Sequence, residues 1–156
     1  MRPALLVSLA IGAGWIPVAN IAPVYATVLI WAMLLAAVVA LLRTGTGDRA
    51  WLRTPVALYA GWLTAASCVA LGLVLAGHGV LGSQVAALAM LALALAIALA
   101  VQGLRPDTPE YAAAVIWALV GVIVANAAPA NVAVLALSGV GIALLAWQAW
   151  RGATRQ

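Results

Sequence analysis

The chain has no lysine, no phenylalanine, one cysteine, one histidine and three carboxylates among its 156 residues. Each shortage excludes something. A single cysteine, Cys68, in the middle of an apolar stretch allows no disulfide and no cysteine-based metal cluster, and reads as a small core residue. Charged residues make up 6% of the chain. Soluble domains carry about a quarter, so this chain could not cover its surface in water. With 68% hydrophobic residues it reads as an integral membrane protein. The net charge of +4 comes from scattered arginines rather than a basic run, so no nucleic-acid partner is expected and the lipid bilayer is the expected surrounding.

The few charges are not spread evenly. Arg2 comes first; Arg43, Asp48, Arg49 and Arg53 follow; then Arg105, Asp107 and Glu110; and finally Arg151 and Arg155. Between these groups lie apolar stretches long enough for two crossings each, with uncharged turns at Asn20–Pro23, Gly77–Ser83 and Ala128–Asn131. An ion in lipid costs a few kcal/mol at least, so charges collect where a chain emerges into water. Spanning a bilayer takes roughly 20 helical residues. The predicted fold is an all-α, single-domain transmembrane bundle over 1–156, with helices at about 3–18, 22–42, 55–76, 82–103, 111–127 and 131–150. The preference of arginine for the cytoplasmic side puts both termini there, in the inner membrane of a cell. An alternative treats Arg2, the apolar stretch and Val18-Ala19-Asn20 as a cleaved signal, which leaves five helices.

Proline marks the boundaries. Pro23, Pro55 and Pro109 stand at helix starts, where a missing N–H costs nothing, and Pro17 is expected to close the first segment. Thr54 and Thr108 precede two of these prolines and read as N-caps. Asp107 and Glu110 flank Thr108-Pro109, where a helix N-terminus welcomes negative charge.

Two helices echo one another. Pro23-x-Tyr25-Ala26 followed by Ile30-Trp31-Ala32 aligns without gaps on Pro109-x-Tyr111-Ala112 followed by Ile116-Trp117-Ala118. They are the second and fifth helices and would cross in opposite directions. Inverted duplication, a plan common among transporters, would produce that pattern. So would convergence, because Tyr and Trp favour membrane interfaces.

Catalytic motifs are missing. No carboxylate lies inside a predicted span, and no HExxH, GxSxG or phosphate-binding glycine loop occurs. A non-enzymatic protein with no catalytic residue, no metal site and no required cofactor is expected. His78, between Gly77 and Gly79, could ligate a haem or metal, or simply be a solvated loop residue. Tryptophan is the informative side chain. Trp51, Trp147 and Trp150 lie near predicted interfaces, while Trp31, Trp62 and Trp117 lie deeper, where their N–H groups want partners. On the third helix Tyr59, Trp62 and Ala66 share a face, and Gly61, Thr64 and Cys68 form a stripe of small residues suited to close helix packing. Arg53…Tyr59…Leu63 and Arg105…Tyr111…Val115 satisfy a loose cholesterol-contact pattern.

The stretch Leu58-Tyr59-Ala60-Gly61-Trp62-Leu63-Thr64-Ala65-Ala66, together with Tyr111…Ile116-Trp117-Ala118-Leu119 and Gly121, resembles the tryptophan-rich sensory proteins, the bacterial relatives of TspO and the translocator protein. The chain is divergent. Ala70 stands where distant relatives often carry asparagine, the Trp-x-Pro-Pro signature is missing, and the family's upstream aromatic and proline-rich region has no counterpart before the first helix. The resemblance implies a helical membrane protein, often a homodimer, that binds porphyrin or haem or another flat hydrophobic small molecule. It makes Tyr59, Trp62 and Trp117 candidates to line the ligand cavity, with Tyr111 and Trp31 beside them.

Overall fold

A computed structural model of the chain describes residues 1–45 and 49–154; Asp48 and Arg155, two of the charges that mark the chain's ends and loops, lie outside the described residues. The described part is helical throughout: α1 (Arg2–Ile21), α2 (Pro23–Leu42), α3 (Thr54–Gly77), α4 (Ser83–Leu104), α5 (Pro109–Ala125) and α6 (Val132–Ala153). A five-residue π-helical turn, Arg49–Arg53, leads into α3. All six expected helices are present, each end within three residues of the expected limit.

Five helices are long and apolar enough to cross a bilayer, and α5, at 17 residues, is shorter. At about 1.5 Å per residue α5 spans only about 26 Å. It nonetheless connects the two ends of the bundle. It begins at the charged 105–110 loop, beside Arg105, and the segment after it reaches the start of α4, where Gln84 and Asn131 exchange hydrogen bonds of 3.1 and 2.6 Å. Asn131 also caps α6 by accepting from the Val134 N–H.

Two expected boundaries are different. Pro17 lies inside α1, which runs on to Ile21. Proline removes a single N–H here, near the C-terminal end of the helix, and Ala22 N–H still donates to Val18 O at 2.8 Å, so the last turn closes. Thr54 is the first residue of α3 rather than its cap, and Thr108 holds the N-cap position of α5 without capping it. Its hydroxyl donates instead to Arg105 O, within the loop.

Helices α3, α4, α6 and α5 form a ring in which each packs on its two neighbours, while α4 and α5 meet only marginally across the middle. Outside the ring α2 packs on α3, and α1 packs chiefly on α2. Close approach of α3 to α5 depends on Gly61. A methyl group there would lie 2.5 Å from Tyr111 O and 2.9 Å from the Ala114 Cβ. The adjoining Thr64 Oγ1 accepts the Tyr111 hydroxyl at 2.8 Å while donating to Ala60 O. Both groups are fully buried.

The sequence echo does not extend to environment. Tyr111 is fully buried, whereas its counterpart Tyr25 is 72% exposed. Helix α2 leans on α1 and α3 alike, while α5 leans on α6 and α3 and scarcely on α4. The two halves pack differently, so the echo in sequence is not matched by an echo in packing.

The arginine-bearing end is more than a topological marker. Arg53, expected where the chain emerges into water, is only 6% exposed. Its guanidinium donates to Asp107 Oδ2 at 2.6 Å, and Arg105 donates to both Asp107 oxygens at 2.9 and 3.1 Å. Arg105 also donates to Thr44 Oγ1 at 2.9 Å and to Leu41 O, which ties the end of α2 to the α4–α5 loop. Beside this cluster Arg49 and Thr54 both donate to Glu110 Oε1, each at 3.1 Å. The hydrogen bond from Arg105, aided by the positive charge of both guanidiniums, holds the Asp107 carboxyl below its ordinary pKa against the opposing effect of burial.

Two outcomes follow from this packing. Gly61→Ala must push α3 from the α5 backbone and should cost about 1–3 kcal/mol, whereas Gly121→Ala, with nothing within 4 Å, should change stability by less than about 0.5 kcal/mol; thermal unfolding in detergent compares them. Asp107→Asn leaves two guanidiniums without a counter-charge and should cost about 2–4 kcal/mol, less than a fully buried pair because Asp107 is a quarter exposed. A depressed folded pKa means the carboxylate contributes fully above pH ~4 and is lost only as pH falls through the lower folded value. A melting temperature that is lost more steeply below pH ~4 in the native chain than in Asp107→Asn confirms that sign.

Candidate functional site

Lipid-facing and core-facing helix surfaces are both apolar, so the few buried polar groups show which faces meet. Ser8 is the one buried residue of α1. It donates to Met33 O at 2.9 Å and accepts the Tyr59 hydroxyl at 3.0 Å, which ties α1, α2 and α3 together. Trp15 Nε1 donates to Ala26 O at 2.9 Å and Ser67 Oγ to Ile30 O at 3.2 Å, adding α1–α2 and α3–α2 links. Tyr59 is therefore a clasp between helices. Tyr111 is another, fully committed to Thr64.

The remaining aromatic candidates are spread around the bundle. Trp62 and Trp117 are 53% and 75% exposed on its perimeter. Trp31 is half-buried against the core, and its indole N–H has no acceptor among the described residues. Because Tyr111 is wholly enclosed, the Arg105…Tyr111…Val115 pattern presents no tyrosine to a sterol at the surface. His78 sits exposed at the end of α3, its Nδ1 2.9 Å from Val74 O, and no group of three metal-ligating side chains occurs among the described residues.

Inside the ring, towards the end with the uncharged turns, is an apolar cavity of about 510 Å³. Its walls come from the second half of α3, the first half of α4 and the second half of α5, with Val134 of α6. Small side chains create it. Ala65 and Gly72 on α3, Ala86 and Ala87 on α4, and Ala118 on α5 leave the centre unfilled where α4 and α5 fail to meet. Met90 supplies a flexible, polarisable wall opposite Gly72, where an added methyl would lie 3.2 Å from its Cγ. Ser83 and Asn126 add polar groups at the helix ends, and Cys68 lies deeper. Asn126 Nδ2 donates back to Val122 O at 2.9 Å.

None of Tyr59, Trp62, Trp117, Tyr111 and Trp31 lines this cavity. The structure brings Tyr59 to Ser8, and Tyr111 to Thr64 and Gly61, but gathers no aromatic cluster around one space. The lining residues themselves were missed because Ala, Val and Leu carry no signal of inward or outward facing in a bilayer. The one available hint was the density of small residues on α3 and α4.

A second cavity, of about 580 Å³, opens at the arginine-bearing end between the end of α4 and the last turns of α6. Leu99, Gln102, Trp147, Gln148 and Arg151 are among the residues around it. It differs in character from the first: amides and a guanidinium stand over an apolar floor.

No curated protein and no solved structure matches the chain. A family model described as TSPO-like protein matches residues 1–149, nearly the whole length. The match includes α3, α4, α5, most of α6 and the apolar cavity between them. A helical membrane bundle carrying the Leu-Tyr-x-Gly-Trp-x-Thr stretch on α3 and a Tyr…Trp-Ala-Leu-x-Gly stretch on α5 thus belongs to the TSPO-like protein family.

Proposed function

We propose that this chain is a non-enzymatic membrane protein that binds a flat hydrophobic ligand, a porphyrin such as protoporphyrin or haem, in the apolar cavity between α3, α4 and α5. The observation that carries this reading is the cavity itself. Its volume of about 510 Å³ falls within the range of small-molecule sites, about 300–1,000 Å³, and its walls are apolar with a few polar groups at one end. Such a site pays little desolvation cost for a planar apolar ring and could orient peripheral polar groups towards Ser83 and Asn126. The described carboxylates, Asp107 and Glu110, are engaged by arginines at the opposite end, so neither is available for acid–base chemistry at the cavity. The same arginines favour an orientation with that end in the cytoplasm.

Tyr111 acts in this reading by holding α3 against α5 beside the cavity, Tyr59 ties α3 to α1 outside the ring, and Trp62 and Trp117 lie on the outer perimeter. An absorbance titration with protoporphyrin should saturate. Ala118→Phe, which places a ring in the cavity, should weaken binding by about tenfold or more through overpacking, whereas Trp62→Ala and Trp117→Ala should leave it within about twofold. Absence of saturable binding refutes the proposal. Loss of binding in the tryptophan variants with Ala118→Phe unaffected moves the ligand to the perimeter.

A further inference from the structure

The apolar cavity has an open side as well as closed walls. Cys68, Ala86, Leu91, Val115 and Val134 form part of its lining and are each at most 8% exposed. Val69 and Leu73 line the same cavity, yet they are 53% and 69% exposed. A side chain that walls a cavity and is more than half exposed stands at its rim, so the cavity opens beside these two residues. Their place on α3 shows which way. One side of α3 meets α5 through Gly61 and Thr64, and another meets α2 through Ser67. Val69 and Leu73 lie on neither side: spacings of seven and four residues set them in line with Trp62, itself exposed, on a stripe that faces lipid. Next to Leu73, Gly72 meets Met90 of α4, so the opening lies in the seam between α3 and α4. Val69 is eight residues from the end of α3 at Gly77, about 12 Å along the helix, so the rim reaches into the hydrocarbon.

The chemistry of the lining agrees with that opening. No charged side chain is among the residues around the cavity, so nothing there draws a charged solute out of water. Met90 is the adjustable side chain at the seam, unbranched and polarisable, and Gly72 leaves it room. Lipid tails are as apolar as these walls, so a molecule arriving from the bilayer gains little from hydrophobicity and is selected by how well its shape packs.

We infer that the ligand enters this cavity sideways from the bilayer, through the seam between α3 and α4 past Val69 and Leu73, and that the pool it is drawn from is the one dissolved in lipid. This inference rests on the reading of the cavity as a porphyrin site. It adds the route of entry and a limit on the ligand class: molecules that partition into membranes.

The test times protoporphyrin binding to the full chain in nanodiscs by stopped-flow absorbance. Leu73→Cys carries a bulky aryl maleimide at the rim. Val80→Cys, in the exposed turn before α4 and outside the lining, carries the same group there, and the native chain treated alike controls for the buried Cys68. The label at position 73 should slow association about tenfold or more. Attached after loading, it should slow release to a similar degree, so that affinity changes by less than about threefold. The label at position 80 should alter neither rate by more than about twofold. Leu73→Ala, which widens the rim without any label, should speed both rates about threefold. Rates unchanged by both alterations of Leu73 overturn the inference, and so does slowing by the label at position 80 alone, which puts the entrance at the water-facing end. Faster release on labelling a loaded chain also overturns it, because position 73 is then part of the seat and not of the passage. Saturable binding with unaffected rates sinks the route alone, whereas absence of saturable binding by the native chain refutes the porphyrin reading and the route with it.

Discussion

Three separate parts of the chain are joined through the carboxylate of Asp107 and its partner Arg105. Arg53 reaches it from the turn before α3, Arg105 holds it from the same loop, and Arg105 in turn grips the end of α2. Such a contact matters more here than it would in water. In a bilayer, lipid tails are as apolar as leucine, so hydrophobicity does not choose which helix faces meet. Specific polar contacts and points of close approach make that choice. Asp107 sets the arrangement at one end, the Gln84–Asn131 amide pair at the other, and the Ser8–Tyr59 and Thr64–Tyr111 hydrogen bonds between them. Gly61 lets α3 and α5 approach closely, while α5 meets α4 only marginally, which leaves the apolar cavity between the three helices.

The number of helices, their order and most of their limits were legible in the primary structure, because apolar length and the position of charge and proline report directly on the cost of leaving water. The failures have one cause. Residues that look alike by position take different roles once neighbours are present. Tyr25 and Tyr111 occupy the same place in the repeated motif, yet only Tyr111 meets a hydroxyl on an adjacent helix and becomes enclosed. Arg53 looks like any interfacial arginine until Asp107, 54 residues later, is seen to fold back on it. Pro17 looks like a stop, but a helix near its end has little to lose from one absent donor. The π-helical turn before α3 had no sequence signal.

The candidate site was less legible still. Tryptophan and tyrosine drew attention because their ring donors need partners, and Tyr59 and Tyr111 did prove to be bound between helices. Trp62 and Trp117 instead lie outward, where an indole can meet lipid at little cost. Empty space was made where small side chains, Ala65, Gly72, Ala86, Ala87 and Ala118, stand on α3, α4 and α5 among larger lining residues. The glutamines at the arginine-bearing end were similarly quiet. Gln102 on α4 and Gln148 on α6 come to line one cavity only once the helices are packed.

The central claim is that the ligand of this TSPO-like protein lies inside the α3–α6 ring and not against the perimeter tryptophans. Residue-level mapping of a photoreactive porphyrin analogue, crosslinked to the full chain in bilayers, tests it most directly. Adducts confined to cavity residues such as Ala87, Met90 and Ala118, and competed away by unmodified protoporphyrin, are the expected result. Adducts concentrated at Trp62 and Trp117 and equally sensitive to competition would contradict the account.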